Sequence, residues 1–285
     1  MNEEQKTRWN GVAGQAWVEL QELLDRILEP MEKLLAEAIA AGSACQVLDV
    51  GCGTGGTTVA AARRLGKGGQ ALGVDISEPM IDAARARAQQ AGSVASFVCA
   101  DAQRYAFDAA SFDLILSRFG VMFFDDTAQA MSNLRRAASS GAELRLLAWR
   151  SPEDNPFMTT AERAAAPLLP SLPERRPGTA DQFAFADAER VRRLLEGSGW
   201  LDIDVRPVDL PCTFPESELT LYLTRLGPLG RVLPDVEEPT RGRIIETVRD
   251  AFQPYVHCAE VRFMAACWLF AARAPKEVVR RRGSA

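Results

Sequence analysis

The sequence predicts an α/β fold: an open, mainly parallel, doubly wound sheet with helices on both faces. Three observations carry this. Hydrophobic strands alternate with helical patterns from residue 46 onward, as βαβ crossovers do. The first strand runs into a glycine-rich turn, "VLDVGCGTGGTT", at residues 47–58. Carboxylates then follow successive strands, at the sheet end where ligands bind.

Ahead of the sheet, Trp17, Leu20, Leu24, Ile27 and Leu28 recur at helical spacing; Pro30 interrupts, and Met31, Leu34, Leu35, Ala38 and Ile39 resume it. That spacing predicts two helices or one broken helix. The first strand is expected at 47–50 and its helix at 57–65, with Gly66 as C-cap. The second strand is expected at 71–74. Ser77 then caps a helix that carries Pro79 in its first turn, where proline is tolerated, and that stops at Gly92. Strands at 96–99 and 112–116, a helix at 127–138 and a fifth strand at 144–148 follow.

Beyond Trp149 the composition changes. Residues 151–178 hold Pro152, Pro156, Pro167, Pro170, Pro173 and Pro177, and read as a flap with a short helix near 158–166. Asp187 opens a helix ending near Gly197, and a sixth strand is expected at 202–205. A second insertion follows, with helical patterns at 216–226 and 240–252, before a last strand at 262–272. The expected organisation is a helical lid over 1–42, a cofactor-binding core over 43–150, a flap over 151–186, core again over 187–210, a cap over 211–260, the last core strand over 261–275 and a tail over 276–285.

The 285 residues, 47 % hydrophobic and 25 % charged, suffice for a substantial core. A net charge of -5 gives no broad footprint for nucleic acid, and Arg280, Arg281 and Arg282 read as a solvated tail. The six cysteines, Cys45, Cys52, Cys99, Cys212, Cys258 and Cys267, show no C-x-x-C spacing, so neither a disulfide framework nor a zinc site is expected. Residues 1–14 are polar and no apolar run reaches membrane-spanning length, so neither a signal peptide nor a membrane partner is expected, and a cytoplasmic location is.

The glycine turn poses the functional question. Gly51, Gly53 and Gly56 fit the G-x-G-x-x-G spacing of dinucleotide sites, yet Asp49 stands two residues before the first glycine. A pyrophosphate would be repelled there. A ligand with adenosine, no phosphate and a cationic group removes the conflict, and S-adenosylmethionine is such a ligand. Asp75 closes "ALGVD" and can accept from both ribose hydroxyls, while Asp101 follows "SFVCA" and can accept the adenine amine. Ile76 and Met80 can sandwich the ring. Each carboxylate alone would read as a cap or turn former, but three at successive strand ends argue for a site. Cys52 in the turn, Ala102, Ser117 and Trp17 complete the candidate cofactor-binding set. No catalytic residue and no metal ligand is assigned.

"VLDVGCGTGGTT", "GVDISEPMIDAARARA", "VCADAQRY" and "FDLILSRFGVMFF" resemble the cofactor motifs of class I S-adenosylmethionine-dependent methyltransferases, over about residues 45–150. Within that family the chain resembles small-molecule methyltransferases related to the quinone-biosynthesis C-methyltransferases. "RWNGVAGQAW" is also similar to that group, where such a segment folds over the cofactor. The resemblance implies a Rossmann-like seven-stranded sheet with the last strand antiparallel.

Methyl transfer from a sulfonium is an in-line displacement that mainly needs alignment and exclusion of water. Trp149 and Arg150 follow the fifth strand where a catechol-type Mg²⁺ enzyme would need carboxylates. Ser117, Arg118 and Phe119 replace the Asn/Asp-Pro-Pro-aromatic motif of adenine and glutamine-amide methyltransferases, and the cysteines form no set suited to arsenic. Both insertions should emerge at the ligand end and bring Phe157, Met158, Phe183, Phe185, Phe214, Tyr222 and Tyr255, most as cap core and a few facing an apolar or aromatic acceptor. His257, the only histidine, is not assigned as a base. The expected activity is methyl transfer to an O, N or C atom of a small aromatic or apolar metabolite. The alternatives are a catalytically inactive S-adenosylmethionine-binding partner protein and a nicotinamide-dependent oxidoreductase, the latter opposed by Asp49.

Overall fold

A computed structural model describes residues 3–43, 45–170, 172 and 180–276; Pro173, Pro177 and the basic run Arg280, Arg281 and Arg282 lie outside them. The chain opens with three helices, α1 (Glu3–Asn10), α2 (Val12–Glu19) and α3 (Gln21–Ala36). The break expected at Pro30 does not occur. Ile27, Leu28 and Met31 flank it and are buried, and packing of that face outweighs the one backbone hydrogen bond a proline forfeits. The breaks fall instead at Gly11 and Leu20.

The alternating part follows: β1 (Gln46–Val50), α4 (Gly56–Arg64), β2 (Gln70–Asp75), α5 (Glu78–Gln90), β3 (Ser96–Cys99), β4 (Phe112–Arg118), α6 (Thr127–Ala137) and β5 (Ala138–Trp149). Ser77 caps α5, its hydroxyl accepting from the Met80 amide. Gly66 is not the C-cap of α4, which ends on an extended Leu65. Its small size serves a close approach, since a Cβ there would lie 2.1 Å from the Gly42 carbonyl oxygen.

The remaining elements are α7 (Pro156–Ala165), α8 (Ala188–Gly197), β6 (Leu201–Pro215), α9 (Leu219–Arg225), α10 (Gly227–Val232), α11 (Thr240–Ala251), β7 (Val256–His257) and β8 (Glu260–Arg273). Strand β6 has 15 residues, nearly four times the expected length, and takes in residues assigned above to the cap. It contains Pro207, Pro211 and, at its end, Pro215. They are tolerated because β6 is an edge strand, paired only with β8, so one row of its amides needs no partner.

The sheet order is β3-β2-β1-β4-β5-β8-β6, with the short β7 beside β8. Strands β1 to β5 pair in parallel, and β8 runs antiparallel between β5 and β6. Strand order reverses between β1 and β4, and in open sheets the crevice at such a reversal is where ligands bind. The register brings Val50 beside Val74 and Asp75 beside Cys99, so the first three strands end level.

Candidate active site

The turn after β1 is built by three glycines with positive φ: Gly51 (67°), Gly53 (54°) and Gly55 (81°). Such angles carry no steric cost only for glycine. The G-x-G-x-x-G spacing points to Gly56 as the third glycine. Gly56 is instead the first residue of α4, and Gly55 is its left-handed N-cap, where a Cβ would meet Ala84 and the Phe97 ring at 2.8–2.9 Å. A Gly-Gly pair does not say which member takes the unusual angle.

Asp49 lies in the floor of the turn at 1 % exposure. Its Oδ2 accepts from the Thr58 hydroxyl at 2.7 Å, and its Oδ1 has no partner. Burial pushes its pKa up to about 6; the Thr58 hydrogen bond and Arg118 oppose the shift, while Asp75 and Glu32 add to it. Asp75 ties the turn to the end of β2. Its Oδ2 accepts from Gly53 N–H at 2.8 Å and its Oδ1 from Ser77 N–H at 2.9 Å. Each oxygen keeps a further lone pair, and the residue lines the cavity. Burial raises its pKa against the lowering effect of the Ser77, Gly53 and Ile76 amides. Asp101 accepts from Gln103 N–H at 3.0 Å and also lines the cavity, with Ile76, Met80 and Ala102.

That cavity has a volume of about 260 Å³ and runs from these strand ends to the two insertions. Trp17 lines it; Cys52 lines only a smaller recess beneath the turn, where burial holds its thiol well above the usual pKa and therefore neutral. Ser117 is in neither wall. It is fully buried, its hydroxyl donating to Val50 O at 2.7 Å and accepting from Gly120 and Val121 N–H, so it joins β4 to β1 rather than facing the cavity.

The far end is aromatic. Phe119 stacks on Trp149 with ring centres 4.2 Å apart, and Phe157 stacks on Phe263 at 3.8 Å. Tyr222 and Phe252 close the wall beside Phe157. Of the aromatic and sulfur side chains expected there, Phe157, Met158 and Tyr222 line the cavity, whereas Phe183, Phe185, Phe214 and Tyr255 do not. Phe214 and Phe185 are fully buried. The sequence reading did not single out Phe252 and Phe263, which stand at a helix end and in a strand, nor Arg118 and Phe119 as wall residues. Only the meeting of distant segments reveals them. His257 is exposed in β7 and outside the wall.

Helices α1 and α2 lie over the cavity. Trp9 packs edge-on against Phe123 and Trp17, with ring centres 5.1 and 6.2 Å away. The Ser77 hydroxyl donates to Trp9 O at 2.6 Å. Asn10 accepts from Glu78 N–H at 2.9 Å and donates to Ile76 O at 3.1 Å. Among the described residues no cluster of His, Cys, Asp or Glu converges as a metal site, and no helix is long and apolar enough to cross a membrane.

A family described as a methyltransferase domain matches residues 47–141. Nocamycin O-methyltransferase of Saccharothrix syringae is 27 % identical over 232 residues, which cover 78 % of this chain and 82 % of the relative. Aklanonic acid methyltransferase of Streptomyces sp. (strain C5) is 30 % identical over 185 residues, covering 60 % of this chain and 81 % of the relative. The crystal structure of a putative methyltransferase from Bacillus halodurans C-125 shares the fold, with a TM-score of 0.56 at 19 % identity over 86 % of this chain and 99 % of that one. These likenesses extend past the glycine turn to most of the length of each relative, and the chain belongs to the S-adenosylmethionine-dependent methyltransferases, with S-adenosylmethionine as its methyl donor.

Proposed function

We propose that S-adenosylmethionine lies across the ends of β1, β2 and β3 and methylates a small aromatic or apolar metabolite held between the two insertions. Asp75 holds the ribose, Ile76 and Met80 flank the adenine, Asp101 with Ala102 meets its edge, and Asp49 faces the cationic methionine end. The observation that carries this is the single cavity running from Asp75 and Asp101 to the stacked pairs Phe119–Trp149 and Phe157–Phe263. The unpartnered Asp49 Oδ1 suits a cation and would oppose a phosphate.

The cofactor supplies a methyl group already activated by the sulfonium. The chain's own part is alignment and exclusion of water, which can lower a barrier by about 7–11 kcal/mol. The aromatic walls orient a flat acceptor, and Trp9 and Trp17 close the site from above. Tyr222, whose phenol pKa is raised by burial, stays protonated and acts as a donor to the acceptor rather than as a base. An acceptor that is acidic or already nucleophilic needs no base from Tyr222; one relative is named for O-methylation and another for an acid. The free thiols fit a reducing compartment, and we place the enzyme in the cytoplasm.

The test is transfer of labelled methyl to a panel of phenols, quinols, aromatic acids and amines. Transfer to an aromatic member is expected. Asp75→Ala should weaken cofactor binding about 10- to 100-fold, the loss of charged hydrogen bonds. Unchanged cofactor affinity in that variant would sink the placement, and a cofactor-loaded enzyme inert across the panel would sink the acceptor class.

A further inference from the structure

Helix α1 turns one face to the cavity: Gln5, Arg8 and Trp9, spaced i, i+3 and i+4, all line it. Gln5 is the buried residue of that helix, 5 % exposed, at a position where packing alone would select an apolar side chain. Its Nε2 donates to Ala180 O in the flap at 3.2 Å. A carbonyl only accepts, so this bond fixes which end of the amide is which. The other end, Oε1, is buried without a hydrogen-bond partner, and buried polar atoms are seldom left so. Asn10, at the C-terminal end of α1, donates to Ile76 O on the cofactor side. Gln5 stands five residues earlier, about 7.5 Å along the axis, and reaches the flap. The orphaned oxygen therefore lies on the flap side of the roof. Arg8 stands one turn on, its guanidinium carbon 5.3 and 5.4 Å from the centres of the Trp9 and Phe123 rings. The rings hold the guanidinium in the roof without neutralising it, and five N–H donors give it capacity for a ligand oxygen beyond its contacts within the chain.

We propose that Gln5 and Arg8 determine which acceptor is methylated: Gln5 Oε1 accepts a hydrogen bond from a hydroxyl on the acceptor ring, and Arg8 donates to a carboxylate on the same ring. The two side chains leave α1 about 5–6 Å apart, the spacing of i, i+3 neighbours, which suits a hydroxyl meta to the carboxylate. The acceptor class is then a hydroxylated aromatic acid whose methylated atom is a third position. This rests on the acceptor placement proposed above. It makes Gln5 a substrate-binding residue, and not only a tie between α1 and the flap.

Transfer of labelled methyl by the full chain separates the two roles, with matched acids as probes: 3,5-dihydroxybenzoate against 3-hydroxybenzoate, and 4,7-dihydroxy-2-naphthoate against 7-hydroxy-2-naphthoate. The members of each pair share the carboxylate and one hydroxyl and differ in the second. The wild type should favour the dihydroxy member by about 10- to 100-fold in kcat/KM. Gln5→Met, which keeps the length of the side chain, should bring that ratio within about twofold of one, by loss on the dihydroxy member. Arg8→Met should lower both members together and leave the ratio standing. A wild type that does not distinguish the members overturns the proposal, and that measurement needs no variant to fold. An equal loss on both members in Gln5→Met overturns it as well, since a tie between α1 and the flap serves every acceptor alike. Methylation of neutral phenols but of none of these acids overturns the assignment of Arg8 and with it the acid class. A cofactor-loaded enzyme inert with every acceptor instead overturns the acceptor placement on which the proposal depends.

Discussion

Asp49 holds one carboxylate oxygen against Thr58 and leaves the other buried without a partner in the floor of the turn. Its pKa of about 6 in the fold lies above the ordinary carboxylate value, so between about pH 4 and 6 the native state binds more protons than the unfolded chain. The stability this group contributes is therefore lost as pH rises through that window and is level above it. A cationic ligand reverses the cause, because it favours the ionised form against burial and against the like charges of Asp75 and Glu32. Cofactor affinity should rise about tenfold from pH 5 to pH 7, as the ionised fraction of Asp49 grows. Calorimetry in two buffers of different ionisation enthalpy would also show proton release at the lower pH. Asp49→Asn should weaken binding and flatten the profile; a profile that keeps its slope in that variant would assign the titration to another group.

At the scale of elements, two joints decide how the site is covered. The flap is fastened by Asn155, which is 1 % exposed. Its side chain donates to Ala266 O and accepts from Ala266 N–H, both at 3.0 Å, clipping the start of α7 to β8. Asn155→Ala would leave the buried Ala266 amide unpaired, at a cost of about 1–3 kcal/mol at most, while Ala266 O keeps the Arg150 N–H at 3.0 Å. Urea unfolding should show that loss, and the aromatic wall around Phe157 should loosen with it. A midpoint equal to wild type would mean that water replaces the side chain. The second joint is the N-terminal cover. It is held by Trp9, Asn10 and Ser77, and by the surface ion pairs Arg225–Glu19 and Arg26–Glu218, the latter at 2.9 Å, worth about 1 kcal/mol or less each. Helix α3 carries the buried face against the core, so deletion of residues 1–18 should leave the sheet folded while turnover is lost and cofactor binding weakens. Full-rate methylation by the truncated chain would refute a lid. In the intact chain, amides of residues 9–20 should gain protection from hydrogen exchange when cofactor is added.

For the whole molecule, binding and folding are coupled through one sheet. The cavity draws on the N-terminal helices, the ends of β1 to β5, α7, the cap helices and β8. A ligand that bridges them stabilises all of them together. At a concentration a hundred times its dissociation constant it should add about 2.7 kcal/mol, which for a chain near this size raises Tm by about 5–8 °C. S-adenosylmethionine and S-adenosylhomocysteine should both produce the shift in a thermal melt, and NADH should not. A shift with NADH alone would overturn the reading of the glycine turn.

The sequence by itself determined the strand–helix alternation, the glycine turn with its acidic neighbour and the carboxylates at successive strand ends. Those are local patterns, fixed by side-chain periodicity and by backbone angles that only a few residues tolerate. It also singled out Asp75, Asp101, Ile76, Met80 and Ala102, which line the cavity, because each lies at or shortly after the end of a strand that is itself legible. Tertiary structure alone decided the rest. Pro30 stays inside a helix because a buried face outweighs a local preference, and Pro207 and Pro211 stay inside a strand because that strand lies on an edge. Ser117 turns inward to join two strands, although its neighbours Arg118 and Phe119 face the site. Phe157 meets Phe263 across more than a hundred residues, and Arg118 comes to share a recess with Asp49. Such contacts are set by which segments the sheet order places side by side, and sheet order is a property of the packed chain rather than of any stretch within it.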